Sequence, residues 1–390
     1  MSNAPRFAID LGDFARDPYP TFARLRAECP IAYVPQLGST LFTRRDDIFV
    51  CEKNIDVFSS HQPSGLMNKL MGHNMMRKDG GAHLAERKVI FPSVSPKTVA
   101  GHWRVQFQAH ADRILDALAP AGRAELCDAF ALPFSAECLK CITGLTNMRY
   151  QDMDAWSQGM IDGIANYAGD PDIEARCHRA TAGIDEAIDD MIPVVRKSPN
   201  PSLLSVMLEA DLPMDSVRAN VKLAISGGQN EPRHTILGTI WALLTHPEQL
   251  EKVRAGKIGW LQAFEEYARW MSPIGMSPRR VAKSWSYNGV DFEPEDRIFF
   301  MFGAANRDET HFPRGDRFDA ARDTSKSIAF GTGPHFCAGA WASRTMVADV
   351  ALPSVFARLG GLAIDPSAPV LITGWAFRGL RNLPATWQPT

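Results

Sequence analysis

The chain has 390 residues, 45% of them apolar, and a net charge of −2. That balance argues against a nucleic-acid binder, and the apolar fraction is enough for a large core. No linker, repeat or charge block divides the chain: its 27 prolines and 29 glycines are spread along the whole length, so one large domain, residues 1–390, is expected. The start, M-S-N-A-P-R-F-A-I-D, lacks the apolar core of a signal peptide, and no apolar run is long enough to span a bilayer. Seven cysteines without framework spacing suit reduced thiols, and a soluble cytoplasmic protein is expected.

In chain order, Asp17–Ala27 carries apolar residues at helical spacing, and I-A-Y-V-P and S-T-L-F-T alternate around Leu-Gly like two short strands. Residues 62–81 hold four of the fifteen methionines without a clear period and read as a long, adaptable loop. From about 83 to 270 the texture is helical, with apolar-periodic stretches over Ala131–Thr146, Ile161–Met191 and Met214–Leu244. After Pro273, V-D-F and R-I-F-F-M-F read as strands. A helix over about 338–359 precedes a strand-like tail. The expectation is a mainly α fold with a small β-rich lobe drawn from about 30–60, 280–300 and 361–390.

The segment Phe330–Gly339 reads F-G-T-G-P-H-F-C-A-G. A cysteine is most often a packed small hydrophobe, but three glycines here let the backbone turn tightly. Cys337 also stands where a loop runs into a helix, and helix-end N–H groups stabilise a thiolate there. A nucleophile would want a histidine base with an orienting acid, and His335 is bound into the same loop. Zinc would want three or four ligands, and the only Cys-x-x-Cys, Cys138–Cys141, has no second pair. A thiolate held by N–H groups is what a haem iron needs for oxygen activation.

At every fixed position this segment resembles the haem-ligand signature of the cytochrome P450 family, F-G-x-G-x-H-x-C-x-G. Glu266 and Arg269 in F-E-E-Y-A-R-W resemble the family's E-x-x-R pair, three apart on one helix face. Arg317 of F-P-R-G-D-R-F resembles the third member of that buried network, with A-A-N-R-D between them. The resemblance runs from D-P-Y-P to R-G-L-R-N-L-P. It implies the cytochrome P450 fold as a single triangular domain, haem b as cofactor and Cys337 as axial ligand. It further implies that His83, Arg87, His335 and Arg279 (or its neighbour Arg280) pair with the haem propionates, and that Gly331 and Gly228 lie against the cofactor.

Where the family writes an acid followed by an alcohol in its oxygen-activating helix, this chain has G-G-Q-N-E-P. Asn230 and Glu231 replace the pair, and Pro232 removes a backbone donor, so a bulge or kink is expected there. Glu231 beside an apolar cofactor face should have a raised pKa and act as proton donor and acceptor, unless it turns away to pair with Arg233 or His234.

Leu223, Ser226, Gly227, Pro273, Ile274, Ala376 and Phe377 are expected to face a small hydrophobic substrate, under a lid of Leu66, Met67, Leu70, Met71, Met75 and Met76. Lys69, Arg77 and Lys78 of that lid would be solvated or meet a substrate carboxylate. The sequence holds no flavin or iron–sulfur module, so the resemblance implies electrons from a separate ferredoxin and its NAD(P)H-dependent reductase. These would dock at Lys88, Lys97, Arg104 and Arg344. Monooxygenation is the leading expectation; use of peroxide, or haem-dependent ligand binding without turnover, are the alternatives.

Overall fold

The computed structural model describes residues 2–166 and 169–390. The chain resolves into two compact units, each assembled from separated segments.

The first unit contains residues 2–62, 238–337 and 369–381. Its centre is a five-stranded sheet in the order Ile31–Val34, Ser39–Phe42, Arg297–Phe300, Ser277–Val281, Phe58–Ser59. The first two strands form the expected hairpin, turning through Gly38 at φ 58°. Ser39–Phe42 pairs parallel with Arg297–Phe300, with Leu41 opposite Phe299. Because strand side chains alternate, Leu41 and Phe299 go to one face, packing with Phe14 and Phe22. Phe42 and Phe300 go to the other, in an edge-to-face and stacked cluster with Phe58 and Phe292. The tail returns as a two-stranded ribbon, Ile372–Thr373 with Gly379–Leu380.

The second unit contains 63–166, 169–237, 338–368 and 382–390 and is mostly helical. The stretch expected over Ile161–Met191 is divided between Tyr150–Ile164 and Pro171–Lys197, because Asp170 caps the second helix through the N–H groups of Asp172 and Ile173. The two helices cross closely: a Cβ at Gly183 would lie 2.5 Å from the Trp156 ring, and one at Gly163 2.6 Å from Cys177 Sγ. A small sheet that the sequence reading placed only in the tail also draws Arg123–Glu125 into pairing with Pro384–Thr386. The presumed loop at 62–81 contains a helix, Leu66–Met71, and a 3₁₀ turn, Met75–Arg77. Among the described residues no helix is long and apolar enough to cross a membrane.

The helix expected over Met214–Leu244 is two arms, Met214–Ser226 and Asn230–Thr245. The interruption falls at 227–229 and not at Pro232 itself. Proline cannot donate to the carbonyl four residues back, here Gly228, so it is accommodated in the first turn of the second arm where its N–H is not needed. Neighbouring hydroxyls cap the freed carbonyls: Ser157 Oγ donates to Ile225 O at 3.1 Å and Ser135 Oγ to Gln229 O at 2.8 Å. At Gly228 a Cβ would stand 2.5 Å from Ala224 O and 3.0 Å from Leu139 Cδ1, so only glycine fits the break. Gly228→Ala is therefore expected to cost about 1–3 kcal/mol, read as a lower urea midpoint at unchanged slope.

Candidate functional site

The buried centre of the first unit is the Glu266–Arg269 pair on helix Trp260–Met271, both side chains fully shielded from water. Arg269 donates to Glu266 through Nε at 2.7 Å and Nη2 at 2.8 Å, a two-pronged contact. Its remaining protons go to the carbonyls of Asn306 (2.6 Å), Gly315 (2.9 Å) and Arg317 (3.2 Å). Glu266 Oε1 also accepts from Asp319 N at 2.9 Å and Arg322 Nε at 3.2 Å. The third cationic side chain of the network is thus Arg322, which corrects the expectation of Arg317: Arg317 supplies a carbonyl, and its side chain is on the surface. Both arginines stand in the same stretch, so motif position alone did not separate them.

Asn306 of A-A-N-R-D carries this order into the cysteine segment. Its Oδ1 accepts from Ile328 N at 2.8 Å, and Ile328 O in turn accepts from Gly331 N at 2.9 Å. Gly331 and Gly333 have φ 72° and 63°, the left-handed region that glycine permits. The loop closes when Cys337 N donates to Phe330 O at 2.9 Å. Cys337 is the one exposed cysteine. Cys51 and Cys127, by contrast, are buried thiols that desolvation pushes up to about 12.

Arg279 is buried on strand Ser277–Val281, whereas Arg280 bonds His61 O at 2.9 Å and pairs with exposed Glu295. Arg279 Nη2 donates to Glu52 at 3.0 Å, and the other Glu52 oxygen accepts from Thr332 N, also at 3.0 Å, inside the cysteine loop. Burial pushes the Glu52 carboxyl up to about 7 against the opposing pull of Arg279 and that N–H. Sequence reasoning missed Glu52; its signal was a carboxylate following Ile48 and Cys51 at the spacing of the buried helix face. His335 ends the short turn Gly333–His335 and is half-buried. In the same unit Ile274 bridges Phe377, and Gly275 N donates to Ala376 O at 2.8 Å, so these expected substrate positions come together.

In the second unit His83 and Arg87 stand one turn apart on helix Gly80–Val94, His83 buried and Arg87 half-buried. Between them lies Glu86, which accepts from Lys78 Nζ at 2.5 Å and from Asn220 Nδ2 at 2.9 Å. Asn220 Oδ1 accepts from Met75 N at 2.9 Å. Lys78 is therefore neither solvated nor open to a substrate carboxylate, as had been expected; it belongs to a buried ion pair. Leu223, Ser226 and Gly227 end the first arm, with Ser226 Oγ donating to Leu223 O at 3.2 Å.

Glu231 opens the second arm. Both of its carboxylate oxygens are shut off from solvent and, among the described residues, have no hydrogen-bond partner; Asn230 Oδ1 and Gln229 Oε1 are in the same condition. Burial pushes the Glu231 carboxyl up to about 7, against the opposing pulls of its own backbone N–H and of Arg233. Arg233 does not pair with Glu231: its Nη1 donates to Asp154 at 2.7 Å, and the same Asp154 oxygen accepts from Gln229 Nε2 at 3.2 Å. Asp154 was invisible in the sequence, on the polar side of an ordinary amphipathic helix.

A loop that projects a single exposed thiol from a braced backbone fits the donor chemistry of a thiolate-ligated haem, since a soft thiolate ligand must reach the iron. The sequence profile described as Cytochrome P450 matches residues 261–352, a span that contains the Glu266–Arg269 pair and Cys337. The chain is 30% identical to "Cytochrome P450-SOY" of Streptomyces griseus over 79% of its own length and 74% of that protein. It is 28% identical to "Cytochrome P450 monooxygenase PikC" of Streptomyces venezuelae over 97% and 94%. Its fold matches the crystal structure of CalO2 with a TM-score of 0.89, at 24% identity over 98% and 99% of the two chains. The class is that of haem-thiolate enzymes. The chain belongs to the cytochrome P450 family, and it is a monooxygenase.

Replacing Arg322 by Met removes a donor from a buried carboxylate and is expected to cost about 2 kcal/mol. Arg317→Met, which leaves the carbonyl in place, should stay within about 0.5 kcal/mol of the parent in the same denaturation experiment.

Proposed function

We propose that this chain inserts one oxygen atom from O2 into a small hydrophobic organic substrate, by hydroxylation or O-demethylation, with Cys337 as the axial thiolate of haem b. The exposed thiol at the end of its glycine-braced loop carries this reading. When bound, the haem supplies the oxygen chemistry. His83, Arg87, His335 and Arg279 hold its propionates; that Arg279 is the buried arginine of its strand, on a network with the cysteine loop, supports choosing it over Arg280. Gly331 and Gly228 leave room for the cofactor. The apolar character of Leu223, Ile274, Ala376 and Phe377 supports a hydrophobic substrate. Because each unit is built from discontinuous segments, we read both as parts of a single domain.

Electrons come from a separate ferredoxin and its NAD(P)H-dependent reductase. Lys88, Lys97 and Arg104 are exposed, and Lys88 shares its helix face with exposed Leu84 and Phe91, a mixed basic and apolar surface suited to an acidic protein partner.

Glu231 takes the part of the missing alcohol and acid. A carboxyl shut off from water and titrating near neutrality stores a proton and returns it, which the amide of Asn230 cannot do. The same unpartnered carboxyl favours a second reading: in its ionised form it deprotonates and orients hydrogen peroxide, supporting turnover without a redox partner. The sign of the pH dependence follows. Glu231 is protonated below about 7 and ionised above it, so peroxide-driven turnover rises as pH passes through that region. Glu231→Gln removes the rise, and Glu231→Ala lowers turnover on the order of 100-fold. Products are to be assayed with ferredoxin and NADH, then with peroxide alone. Unchanged rates in both assays for Glu231→Ala end both readings of Glu231. Carbon monoxide binding to the reduced protein without product in either assay leaves ligand binding without turnover.

A further inference from the structure

The break in the helix is held by charged side chains as well as by hydroxyls. Asp154, from helix Tyr150–Ile164, meets Gln229 on one side of Glu231 and Arg233 on the other through a single oxygen. The Arg233 and Asp154 side chains are only 9% and 18% exposed, so the ion pair is largely out of water. Two residues apart on a helix, Glu231 and Arg233 point away from each other, and the Glu231 oxygens make no hydrogen bond among the described residues.

Other ionisable groups lie near this cluster. His234 is next along the same arm. Cys127, in the segment before helix Leu132–Thr143, is kept as a neutral thiol by burial. Beside it Glu125 accepts from the N–H groups of Cys127 and Asp128, and the Asp128 carboxylate lies on the exposed side of that turn. Arg233 is the charge that acts on the Glu231 carboxyl.

We infer that Asp154 is the positioning residue of Glu231: it immobilises Arg233 and opposes its charge, leaving Glu231 beside an ion pair instead of a bare cation. This rests on the proton-storing reading of Glu231. In a medium of low dielectric, an uncompensated charge acts over several ångströms, whereas a close pair of opposite charges largely cancels at a distance. Removing the negative end exposes Glu231 to a cation, which favours the carboxylate. Removing the positive end exposes it to an anion, which favours the carboxylic acid.

The two substitutions must therefore act in opposite directions, an outcome that loss of packing does not produce. The test is the infrared C=O stretch of protonated Glu231 in the haem-loaded protein, followed through a pH titration and identified by its absence in Glu231→Gln. Asp154→Asn is expected to lower the midpoint, and Arg233→Gln to raise it, each by roughly one unit. The double variant should return near the parent, and Asp154→Glu, which keeps the charge, should retain the parent midpoint. The pH profile of peroxide-driven turnover should move with the band. A band whose midpoint is unmoved, or moves the same way in both single variants, overturns the role of Asp154 alone. A parent protein with no band sensitive to Glu231→Gln overturns the reading of Glu231, and this inference with it.

Discussion

An ion pair taken wholly out of water is expensive, and Glu266–Arg269 is sustained because every Arg269 proton has an acceptor and Glu266 takes further donors beyond Arg269. The occupants are backbone groups of Asn306, Gly315, Arg317 and Asp319, together with the side chain of Arg322. Satisfying the pair therefore dictates the path of an irregular segment that has little regular secondary structure to hold it. Asn306 passes that order to Ile328, and Ile328 passes it to Gly331. The cysteine loop inherits its rigidity from a charge pair on a helix far away in sequence. Glu52 and Arg279 brace the same loop from another side through Thr332.

The class of fold and the principal motif were legible in the sequence because both rest on local rules. Strand alternation at Leu41–Phe42 and Phe299–Phe300 sorts side chains to two faces, and glycine is required where φ turns positive at 331 and 333. Partners distant in sequence were not legible. Nothing local distinguishes Arg322 from Arg317, marks Glu86 as the partner of Lys78, or sets Asp154 opposite Arg233; each follows from how helices and loops pack. Pro232 announced a disruption, but its position at 227–229 depended on where a proline can be received and on Ser135 and Ser157 being there to cap the carbonyls.

That break places Glu231 in the first turn of a new helix, where its backbone N–H needs no carbonyl four residues back. Here the interruption is capped from two neighbouring helices, and Arg233, two residues on, is engaged by Asp154. Glu231 is left in a setting where neither protonation state is greatly favoured near neutrality. A hydroxyl at this position could donate and accept but could not carry a charge.

The tie of Lys78 to Glu86 and of Met75 to Asn220 also limits how the methionine-rich segment can move. Uncoupling it there would part Lys78 from a buried carboxylate, a larger penalty than bending a turn. Gly72, whose φ of 87° suits glycine, turns the chain close against Ala219, where an added Cβ would lie 3.2 Å from the alanine side chain. The Leu66–Met71 helix before that turn is itself seated in the core through Met67, Leu70 and Met71. The two sides of the turn are thus held by different forces, apolar packing before Gly72 and a charge pair after it.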